Sequence, residues 1–153
     1  GGTLNSVLNM LDYLLPEGTI ATSTNNQGKT VVLQKSDSHE INLPMTVLTN
    51  GNTASASELF TQALKDYNKA VSVGTTTYGK GVMQTTFPLS DGSAVIITTA
   101  YFNPPSGENF NGKGIKPDYE VTLTADQEKD FDNLNESNDP QLMKAIDVLN
   151  SQN

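Results

Sequence analysis

Serine 55 and lysine 80 are the residues whose types and surroundings best suit chemistry. Ser55 lies in Thr53-Ala54-Ser55-Ala56-Ser57-Glu58, a run of small and hydroxyl residues at the mouth of an apolar-periodic segment. A serine hydroxyl is a poor nucleophile until a base takes its proton. At a helix start, free backbone N–H groups and a partial positive charge can face the oxyanion that forms on an attacked carbonyl. The N–H of Ala56 is the natural donor. Lys80 follows 25 residues after Ser55, in Tyr78-Gly79-Lys80-Gly81-Val82-Met83-Gln84. A lysine base has to be kept neutral by apolar surroundings, for which Val82 and Met83 are candidates. Gly79 and Gly81 let the backbone pass close to a neighbouring element. The pair reads as the nucleophile and general base of a serine hydrolase that does without histidine. Each half also has a plainer reading. Ser55-Ala56-Ser57-Glu58 fits a capping box, and most lysines are solvated, with a pKa near about 10.4.

Composition narrows the choice by exclusion. The single histidine, His39, sits in the polar run Lys35-Ser36-Asp37-Ser38-His39-Glu40, where a solvated loop residue is expected and not the base of a Ser-His-Asp triad. Without cysteine there is no thiol nucleophile, disulfide or zinc–cysteine site. All nine basic residues are lysine and the net charge is −8, which repels a phosphate backbone. Nucleic acid is therefore not an expected partner. No apolar run approaches the roughly 18 residues of a membrane span, so this segment is expected to make no membrane contact. No metal or cofactor is called for, and a homo-oligomer stays open.

These residues need elements to hold them, and 153 residues suffice for one core. Leu4, Val7, Leu8, Leu11, Leu14 and Leu15 lie at helical spacing, stopped by Pro16-Glu17-Gly18. Segments 19–24 and 30–33 flank Asn25-Asn26-Gln27-Gly28-Lys29 and read as a hairpin. Residues 45–49 fit a buried parallel strand, 55–67 an amphipathic helix and 70–74 a second strand: a βαβ unit. A second hairpin is expected over 82–89 and 93–102, and a last short strand over 119–123. Helical pieces follow at 125–134 and after Asp139-Pro140, the latter with Leu142, Ala145, Ile146 and Leu149 on one face. Gly1-Gly2 leading straight into a helix looks like a domain cut from a longer chain.

Taken together, several runs resemble the carboxyl-terminal processing (tail-specific) proteases, the S41 serine peptidases. They are Val47-Leu48-Thr49-Asn50-Gly51, Ser55-Ala56-Ser57-Glu58, Gly79-Lys80-Gly81-Val82-Met83-Gln84, Asp91-Gly92-Ser93, Pro105-Ser106-Gly107 and Gly114-Ile115-Lys116-Pro117-Asp118. Gly1-Gly2 match the glycines of that family's Asn-Pro-Gly-Gly element, so the resemblance covers about residues 1–122. The resemblance implies an α/β core of the crotonase and Clp protease type, with βαβ units, flanking hairpins and a helical tail. It matches Ser55 to the family nucleophile, Lys80 to its base and Gln84 to a glutamine that positions the catalytic groups. Ala56 matches one oxyanion donor, and Gly1 and Gly2 contain the position of the other. It further implies a protein or peptide substrate cut near its carboxyl end, and an exported or membrane-anchored parent.

There are departures from the family pattern. The PDZ module and the first core strands are missing, so 1–153 is expected to be one partial core domain and, alone, a weak or inactive peptidase. Glu108 stands where a basic residue is common, and Asn103-Pro104-Pro105 replaces the usual Thr-Pro. The alternative is a non-catalytic module of the same fold, as in interphotoreceptor retinoid-binding proteins, or a scaffold.

Overall fold

The leucine stripe near the start folds as expected in the computed structural model, which describes residues 1–152: helix α1 spans Leu4–Leu14. Leu8, Leu11 and Leu15 bury against Ile20 and Ala21. Pro16 follows, where the ring and missing N–H prevent another turn. Strands β1 (Gly18–Asn25) and β2 (Thr30–Ser36) form the first hairpin. In its turn the Asn25 side-chain oxygen accepts from the Gln27 and Lys29 amides.

The βαβ unit is β3 (Met45–Thr49), α2 (Ala56–Asp66) and β4 (Ala70–Gly74), with Met45 beside Ala70 and Thr49 beside Gly74 in parallel register. Leu59, Ala63 and Leu64 of α2 share one core cluster with the leucines of α1. The exit from α2 is a Schellman turn. Asn68 takes φ 54°, its N–H reaches the Lys65 carbonyl at 2.9 Å, and the Lys69 N–H reaches that of Leu64 at 2.8 Å. One expectation needs correction: β3 is only partly buried, with Thr49 inside and Met45 and Val47 packed against the core. It is the outer strand of the sheet β3-β4-β7, and Leu48 is 46% exposed, because among the described residues β4 alone pairs with it.

Strands β5 (Val82–Pro88) and β6 (Ala94–Asn103) make the second hairpin. β6 also pairs with β1, Thr22 opposite Asn103, so both hairpins join in one antiparallel sheet, β2-β1-β6-β5. β7 is only Tyr119–Glu120, shorter than expected, because just Val73 and Gly74 of β4 pair with it. Asp118 pins it: the Ser72 amide and hydroxyl donate to its Oδ2 at 2.8 Å each, and the Lys65 ammonium to its Oδ1 at 2.9 Å. Burial pushes the Asp118 carboxyl up, but the Ser72 and Lys65 bonds outweigh it and hold its pKa below the ordinary value.

The tail comprises α3 (Ala125–Lys129), one 3-10 turn (Phe131–Asn133) and α4 (Pro140–Ser151), with Asp139 capping α4 through the Gln141 and Leu142 amides. The buried face of α4 keeps Ala145 of the expected one, with Leu142 and Leu149 half-buried, but is rotated from it. Gln141, Ala145 and Val148 turn inward and Ile146 is exposed, since the Gln141 amide donates to the Val121 carbonyl at 2.7 Å.

Candidate active site

β3 ends at Thr49 and the chain turns through 50–54 into α2, whose N-cap is Ser55. Ser55 has φ 59° and ψ −121°, a left-handed conformation that costs a residue with a side chain about 1–3 kcal/mol. What holds it there is Glu58. Its side chain is fully buried, and Oε2 accepts the Ser55 N–H at 2.9 Å. This is the glutamate arm of the capping box. On the serine arm the hydroxyl faces the Glu58 amide but makes no cap hydrogen bond, since that amide donates to the Ser55 carbonyl at 2.9 Å.

The same carboxylate holds the lysine segment. Oε1 accepts from the Thr77 hydroxyl at 2.5 Å and the Gly79 N–H at 2.6 Å, while Oε2 accepts from the Lys80 N–H at 2.8 Å. A buried charge is tolerated when every lone pair finds a donor, and here three backbone amides and a hydroxyl supply them. Thr77 Oγ1 in turn accepts the Ile115 N–H at 2.7 Å. The glycines beside Lys80 have the use expected of them. Gly79 has φ 90°, and a Cβ on it would lie 2.8 Å from the Gly114 nitrogen; one on Gly81 would lie 2.6 Å from Asn109 Oδ1. The 105–118 loop therefore packs directly on the backbone that presents Lys80. Asn109 donates to the Gly81 and Phe102 carbonyls at 2.9 and 2.8 Å, and Asn111 accepts the Gly81 N–H at 3.1 Å.

A cavity of about 300 Å³ results, lined by Gly2, Leu4, Ser55, Ala56, Lys80, Val82, Met83, Gln84 and Phe102. Of the residues singled out in the sequence, Ser55, Ala56, Lys80, Gln84 and Gly2 all reach it. Gly1 stands beside it, where an added Cβ would lie 2.7 Å from the Ala54 carbonyl oxygen and 3.6 Å from Ser55 Cβ. Among the described residues Lys80 joins none of the ion pairs, and Leu4, Val82, Met83 and Phe102 give its cavity an apolar wall. A larger groove of about 500 Å³, lined by Gly1, Val7, Met10, Leu48 and Phe60 among others, holds neither Ser55 nor Lys80. His39 is elsewhere, its side chain 87% exposed and 3.2 Å from Asp37. A nucleophile candidate, a base candidate and the start of a helix meet in this one cavity.

Reasoning from sequence missed Glu58 as the joint between the two segments, and Thr77, Asn109 and Asn111 as supports. The spacing of Glu58 from Ser55 signalled a cap, and nothing local signalled its bonds to residues 77–80.

The sequence model of peptidase family S41 matches residues 1–121. A carboxyl-terminal-processing protease of Synechocystis is 34% identical over 149 residues, covering 97% of this chain and 34% of that protein. A Staphylococcus aureus protein named "Probable CtpA-like serine protease" is 38% identical over 124 residues, covering 79% of this chain and 25% of its own length. Among solved structures, the photosystem II D1 C-terminal processing protease superposes with a TM-score of 0.72 at 35% identity, covering 80% of this chain and 32% of that one. The chain thus spans about a third or less of these relatives.

Proposed function

The chain belongs to peptidase family S41, and from that premise we propose that it is a serine peptidase core with Ser55 as nucleophile and Lys80 as general base. The observation that carries the reading is the single cavity lined by Ser55, Ala56, Lys80 and Gln84. The Lys80 amine takes the Ser55 proton as Oγ attacks the substrate carbonyl carbon. The negative oxygen that forms is met by the Ala56 N–H, with the Gly1–Gly2 backbone as second donor. Collapse breaks the C–N bond, the leaving amine takes the proton from Lys80, and water then hydrolyses the acyl-Ser55 ester with Lys80 again as base. Gln84, at the start of β5, positions the reacting groups. The substrate is a polypeptide cut near its carboxyl end, a reading supported by the names of the relatives. The same relationship supports an extracytoplasmic location. Residues 1–153 are read as one part of a protease core.

Ser55, Lys80 and Gln84 lining one cavity favour an enzyme over a binding module, since a ligand-binding surface has no need of all three. The test is labelling with a fluorophosphonate followed by peptide mapping. Ser55 should carry the label, and Lys80→Arg should abolish labelling with the fold intact, because guanidinium stays charged. Unlabelled Ser55, or full labelling of Lys80→Arg, overturns the dyad.

A further inference from the structure

β5 is an open sheet edge that runs into the catalytic cavity. It is outermost in the order β2-β1-β6-β5, and among the described residues β6 alone pairs with it. The register shows which backbone groups are free. The Leu89 N–H donates to the Ser93 carbonyl at 2.8 Å and closes the turn. Hydrogen-bonded pairs then recur at every second residue, at Phe87 with Val95 and Thr85 with Ile97. The N–H and C=O groups of Gln84 and Thr86 therefore face away from β6. Pro88 occupies the next outward position, where a missing N–H costs no ladder bond, and marks the far end of the edge. The near end is Val82, Met83 and Gln84, which line the cavity beside Ser55 and Lys80.

The chemistry of this edge is that of a surface made to be covered. Exposed edge strands are usually guarded by lysine or other charge. Val82–Pro88 contains no charged residue, and no lysine occurs between Lys80 and Lys113 in a chain of net charge −8. Phe87 is 44% exposed on it. Backbone pairing along such an edge binds extended chain of almost any sequence, with alternate side chains setting preference.

We propose that β5 is a docking rail for the substrate: an unfolded, uncharged polypeptide segment adds to its free edge as a strand and is led to Ser55. This rests on the serine-peptidase reading above. Occupancy follows from continuity, because a chain paired with Gln84 and Thr86 runs directly into the cavity where the reaction is placed.

The test uses the Ser55→Ala chain and a fluorescent, uncharged, unstructured peptide, with binding followed by anisotropy. Thr86→Pro removes one outward donor at a position where proline leaves the ladder to β6 intact. It should weaken binding by up to about tenfold, the scale of losing one backbone bond. In the Ser55-bearing chain it should leave fluorophosphonate labelling unchanged. On the unsubstituted edge, N-methylation of the peptide should weaken binding at every second residue only, which keeps the test valid should Thr86→Pro fail to fold. Equal binding by all N-methylated peptides, or by a folded Thr86→Pro chain, overturns the rail. So does a change in oligomeric state in place of peptide binding, which would assign the edge to a second copy. Failure of Ser55 to label refutes the peptidase reading separately.

Discussion

One carboxylate ties together the two residues assigned to the reaction. Glu58 accepts from the Ser55, Gly79 and Lys80 amides and the Thr77 hydroxyl, yet lines no part of the cavity. It acts as a positioning residue. Replacing it with glutamine keeps the shape but turns one oxygen into a donor that faces donors. Glu58→Gln should lower kcat about a hundredfold with a much smaller change in KM, the scale expected when reacting groups shift by roughly an ångström. Steady-state kinetics on an uncharged peptide would check it, alongside amide exchange at Ser55, Gly79 and Lys80, which should speed up together. Equal losses in kcat and stability with normal exchange would contradict it. At this scale the sequence was informative about identity and silent about connection. Ser55 and Lys80 stood out by residue type and by family resemblance. The partners of Glu58 lie 19–22 residues downstream, and no local pattern encodes which distant amides a buried carboxylate will meet.

At the scale of elements, the shortest strand is held by side chains more than by its ladder. Asp118 bonds to Ser72 and Lys65 fix β7 beside β4. Asp118→Asn should destabilise the fold by about 1 kcal/mol at pH 7, since the bonds are partly exposed. The folded carboxyl lies below its ordinary value, so it takes up a proton less readily than in the unfolded chain. Its contribution is complete above the unfolded value near about 3.9 and fades as pH falls through the lower folded value. Urea midpoints of wild type and Asp118→Asn should therefore differ at pH 7 and converge as pH falls below the folded value. Elements with a strong internal rhythm were legible: α1, β3, α2 and β4 fall where spacing and turn residues put them. Those defined by distant partners were not. The pairing of β1 with β6 joins Thr22 to Asn103, far beyond any periodic signal. In α4, Gln141 buries with its amide on the Val121 carbonyl while Ile146 stays exposed, which an apolar stripe alone does not encode.

For the molecule as a whole, charge is the controlling quantity. A net charge of −8 with no arginine sets up a negative field around the cavity. An unfolded cationic peptide should give a kcat/KM about tenfold above that of an acidic peptide of equal length at low salt, within the range for steered association. Raising ionic strength should shrink the ratio towards one, because screening shortens to about 8 Å near physiological salt. A ratio insensitive to salt would place the discrimination in the cavity walls.

The sharing of Glu58 between two segments also decides how this molecule fails. Were Ser55 and Lys80 each supported separately, heat or a surface substitution could loosen one and leave the other in place, and competence would decay by degrees. With a common acceptor, freeing either segment strips donors from a buried charge and makes holding the other more costly. There is no redundancy in the arrangement. On this arrangement the two segments should loosen together, giving molecules with both in place or neither and few between.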